Sequence, residues 1–115
     1  MLRIYIISPA SQQTLANQLA LRLDPIGGLE TFNVGLSPDG TNPPSHYWCC
    51  VAMTETVWAQ AKALCGMVPG TAYYALDEDT RVLKETTSGS AVLGSVYTNE
   101  TILKDLGLKT LSGIV

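Results

Sequence analysis

Residues His46–Met53 read His-Tyr-Trp-Cys-Cys-Val-Ala-Met, and no other stretch limits the fold as much. Side chains alternate across a strand, so Tyr47, Cys49, Val51 and Met53 share one face and Trp48, Cys50 and Ala52 share the other. Both faces are apolar. A strand tolerates that only where it is covered on both sides, inside a sheet or at a buried interface. The stretch then runs into Thr54, a good helix cap. Val57, Trp58, Ala61, Leu64 and Cys65 follow at the spacing of a single helical stripe, which predicts a helix over Glu55–Cys65. Gly66 is placed to end it in the left-handed conformation.

The flanking segments supply partners for that strand. Leu2–Ile7 is β-branched and aromatic and reads as a central strand. Ser8-Pro9 suits a helix start, and Leu15, Leu19 and Leu23 with Ala16 and Ala20 predict an amphipathic helix over residues 10–23. Glu30–Leu36 alternates, with Phe32, Val34 and Leu36 expected on the covered side. Ser37-Pro38-Asp39-Gly40 is a turn signature, prolonged by Pro43-Pro44. Thr71–Leu76 reads as a fourth strand, turned at Asp77–Thr80 into a hairpin arm over Arg81–Thr87. Ser88-Gly89-Ser90 reads as a break, and Ala91–Tyr97 as an edge strand weakened by Gly94. Thr98 or Asn99 opens a short helix. Gly107 closes it, with Leu103 and Leu108 at the two positions that meet in a Schellman motif. The uncharged tail Thr110–Val115 can fray or add to a sheet edge.

The order strand, helix, strand, strand, helix, strand through Leu76 predicts an α+β domain, a ferredoxin-like split βαβ sandwich. Residues 77–115 then add a hairpin arm, a short helix and the tail, and residues 1–115 make a single domain.

Charged residues form 15% of the chain, against about 25% in typical domains. From Thr31 to Ala61 only Asp39 and Glu55 are charged, and from Thr86 to Asn99 there are none. Such a surface has little charge to repel neighbours and tends towards association. The net charge is −3 and the seven Lys and Arg are scattered, which argues against binding to nucleic acid. No apolar run is long enough to span a bilayer. Met1-Leu2-Arg3 leads directly into a strand rather than a secretory signal, so the expected location is the cytoplasm or a particle assembled there.

Each candidate chemistry has a plainer competitor. His46, Cys49, Cys50 and Cys65 are the only soft-ligand set. Strand alternation parts the adjacent thiols, so small buried side chains explain them better than a metal. His46 and Cys49 stand ~10 Å apart along a strand and on opposite faces, unsuited to nucleophile and base. Asp77-Glu78-Asp79 lacks the alternating ligands of a calcium loop. Asn99-Glu100-Thr101 matches a glycosylation sequon that has no secretory context. Ile4-Tyr5-Ile6 is loosely similar to the shorter motif of RNA-recognition domains, and Tyr47-Trp48 would be the partner aromatics. The basic-Gly-aromatic opening of that family is missing from the third strand.

The expectation is a non-enzymatic structural or assembly protein that packs into a homo-oligomer or a larger particle. A small bacteriophage head or tail accessory protein fits the composition by association. The alternative is a ferredoxin-like small-ligand or regulatory binding module. No catalytic, cofactor or metal residue is expected, and no nucleic-acid or membrane partner. Tyr47, Trp48 and Trp58 are the expected interface anchors, since large aromatics dominate interfaces as well as cores.

Overall fold

Two apolar faces on one strand require two covering layers, and the chain supplies both. The computed structural model describes residues 1–111. It is α+β, with three α-helices and a six-stranded antiparallel sheet among those residues. The strands are β1 (Leu2–Pro9), β2 (Gly28–Ser37), β3 (His46–Met53), β4 (Ala72–Asp77), β5 (Leu83–Thr86) and β6 (Lys109–Thr110). Their order across the sheet is β5-β4-β1-β3-β2-β6. The most apolar strands, β1 and β3, pair along their full length from Leu2↔Met53 to Pro9↔His46.

Helices α1 (Gln13–Leu23) and α2 (Glu55–Ala61) pack on one face. There Ala16, Leu19, Ala20, Leu23, Trp58 and Ala61 meet Ile4, Ile6, Cys49, Val51 and Met53. Helix α3 (Asn99–Leu106) lies on the other face, where Ile102, Leu103 and Leu108 join Tyr5, Ile7, Trp48, Cys50, Tyr74 and Leu76. The second face of β3 is therefore covered by the chain itself. Thr98 caps α3 in a reciprocal box with Thr101, and Gly107 is left-handed at φ 67°. The Leu108 N–H donates to the Leu103 carbonyl at 2.9 Å, completing the predicted Schellman turn.

Several local expectations need correction. Ser8 is no helix cap; it is buried in β1, and its hydroxyl pairs with that of Thr71. A 3₁₀ turn at Ala10–Gln12 precedes α1. Helix α2 tightens to 3₁₀ geometry over Lys62–Met67, so Gly66 is not a left-handed stop, whereas Gly70 is left-handed at φ 79°. On β2, Phe32 is 47% and Val34 37% exposed, and only Leu36 of the expected covered set is buried. The pairing with β3 shifts register on both sides of Thr31, and Asn33 is left-handed at φ 41° with its amide bonded to Asn17. That irregularity breaks the alternation assumed for a regular strand.

Ala91–Tyr97 is not an edge strand. It forms one isolated bridge, Val82↔Val96, and turns at Gly94 with φ 86°. Backbone bonds from Leu83 N–H to Ser95 (2.8 Å), Gly94 N–H to Leu83 (2.9 Å) and Tyr97 N–H to Arg81 (2.9 Å) fix it beside β5. At the opposite edge β6 pairs only with Leu36 and Ser37, so Gly28–Val34 has β3 as its one strand neighbour among the described residues. Of the expected tail, Thr110 adds to this sheet together with the preceding Lys109, while residues 112–115 lie outside the described residues.

Candidate functional site

The chemistry-bearing residues of β3 are core. Cys49, Cys50 and Cys65 are free and buried. Burial pushes Cys49 and Cys50 up to about 12 and Cys65 up to about 11, which leaves all three protonated and inert near neutrality. Desolvation lowers the pKa of His46. Its Nδ1 shares a hydrogen with the Ser45 hydroxyl at 2.8 Å, and no carboxylate completes a triad with the pair among the described residues. No group of three or more His, Cys, Asp or Glu side chains that could hold a metal ion occurs among the described residues.

Of the expected anchors, Trp58 is 2% exposed. Its Nε1 donates to Glu85 at 3.3 Å, and its ring meets Tyr73 edge-on with centroids 5.1 Å apart. Trp48 is buried against Tyr5 with centroids 5.2 Å apart. Both indoles serve the interior, and only Tyr47 of the three keeps appreciable surface. The face that would offer Tyr5 and Trp48 to a nucleic-acid base is occupied by α3.

Polar clusters hold the covering layers in place. Glu85 accepts from Trp58, from Lys62 at 3.0 Å and from the Tyr73 hydroxyl at 2.6 Å, tying α2 to the β4–β5 edge. Asp105 accepts from the hydroxyls of Tyr74, Ser88 (2.9 Å) and Ser90 (2.8 Å). Ser88-Gly89-Ser90 is therefore a fixed tether to α3 rather than a break. Burial pushes the pKa of Asp105 up, but its three hydrogen bonds outweigh that and leave it lowered. Arg81, left-handed at φ 63°, stacks over Tyr5 and donates to Tyr5, Tyr97 and Asn99. A non-glycine residue there costs roughly 1–2 kcal/mol of backbone strain, which these contacts offset. Every group in the three clusters has a protein partner, as a brace requires.

Two surface regions have no such internal purpose. In the 91–97 loop Val92, Leu93 and Val96 are each 61% exposed. The tip is braced by the bonds to β5 and by the Val92 N–H donating to the Tyr97 hydroxyl at 3.2 Å. Across the sheet, Phe32 and Val34 are exposed on the part of β2 that has β3 as its one strand neighbour among the described residues. Sequence patterning missed all five, because it assigned both segments to regular strands. The available signal was the lack of charge, since both patches fall within the two charge-poor stretches.

An open groove of about 950 Å³ runs between Pro38–Gly40, α3 and β6. Leu103 and Leu108 line it together with Asp39, Glu100, Lys104 and Lys109, a balanced set of charges. No helix among the described residues is long and apolar enough to cross a membrane. Comparisons with protein-family models, curated proteins and solved structures return no match to this chain.

Proposed function

We propose that the protein is a non-enzymatic structural subunit that packs edge-on against copies of itself or within a larger particle. The observation that carries this reading is the 91–97 loop. Three aliphatic side chains are held out in water on a braced backbone, within a stretch that has no charge. Such a projection adds nothing to the chain's own core, and apolar patches of this kind mark contact sites. The contact surface is thus assigned to the sheet edges instead of to Tyr47, Trp48 and Trp58.

The fold reading that goes with it is ferredoxin-like for residues 1–76. The antiparallel order β4-β1-β3-β2 and the packing of α1 and α2 on one face support it. A phage virion or cytoplasmic setting belongs to the same proposal and rests on composition alone.

Sedimentation velocity across the micromolar range tests the reading. The wild-type coefficient is expected to rise with concentration. A Val92→Ser, Leu93→Ser, Val96→Ser variant should stay monomeric while melting as the wild type does. A wild-type protein that is monomeric throughout would refute self-association.

A further inference from the structure

We draw no further inference here: the strongest candidate, the open groove between Pro38–Gly40, α3 and β6, sets exposed charges of both signs around the nearly buried Leu103 and Leu108 and ends at Leu111, the last described residue, and nothing in the structure shows what covers it.

Discussion

The two faces of the sheet are covered in different ways. On the first, α1 and α2 directly follow the strands they cover and bury apolar stripes that their own sequences announce. On the second, a helix of eight residues arrives after a long irregular loop. It buries Ile102 and Leu103, and polar bonds at Asp105 and Arg81 fix its position. Hydrophobic area can hold a long amphipathic helix in place without help. The shorter helices α2 and α3 bury too little for that and need directional bonds to select one docking geometry, at Glu85 for α2 and at Asp105 and Arg81 for α3. The first layer, anchored by the eleven-residue α1, should therefore share the global stability, and the second, whose helix is the eight-residue α3, should open at lower cost.

The largest test strikes the first layer. Trp58→Ala removes a fully buried indole and should cost ~3–5 kcal/mol, read as a fall in the urea midpoint with an unchanged slope. A loss under ~1 kcal/mol would contradict its placement in the core. Ile102→Ala, on the second layer, should cost ~2–4 kcal/mol. Amide exchange should accelerate in α3 while β1 and β3 keep their protection, and uniform acceleration would erase the distinction between the layers.

Asp105→Ala should cost about 1–3 kcal/mol, because the buried Tyr74 hydroxyl loses its acceptor. The pH dependence follows from the lowered pKa of Asp105. Its stabilisation is complete above the unfolded value of about 4 and is lost as pH falls through the lower folded value. The stability gap between wild type and Asp105→Ala, followed by urea titration at each pH, should shrink as the pH drops below about 4. A gap that stays constant there would remove Asp105 from its bracing role.

Much of the first layer was legible in the sequence. His46–Met53 demanded cover on both sides, and the stripes Leu15-Leu19-Leu23 and Val57-Trp58-Ala61 named one cover. The capped α3 with its Gly107 stop was also legible, because cap and stop are local chemistry. Where α3 docks was not, since Tyr74–Asp105 and Arg81–Asn99 join residues far apart in sequence. The irregularity of β2 was hidden for the same reason: the partner of Asn33 is Asn17, on α1. The 91–97 loop reads as a strand in the sequence and is not one, β2 is a strand whose exposed side the alternation does not show, and Trp48 and Trp58 are buried while Tyr47 keeps surface, because size and apolarity mark cores and contact surfaces alike.

Concentration-dependent hydrogen exchange compares the two edges with the three aromatics Tyr47, Trp48 and Trp58 in a single experiment. From dilute to concentrated protein, protection should rise in Gly28–Val34 and in residues 91–97 and stay level around Tyr47, Trp48 and Trp58. Protection that rises around those aromatics instead, or nowhere, would contradict contact through the sheet edges.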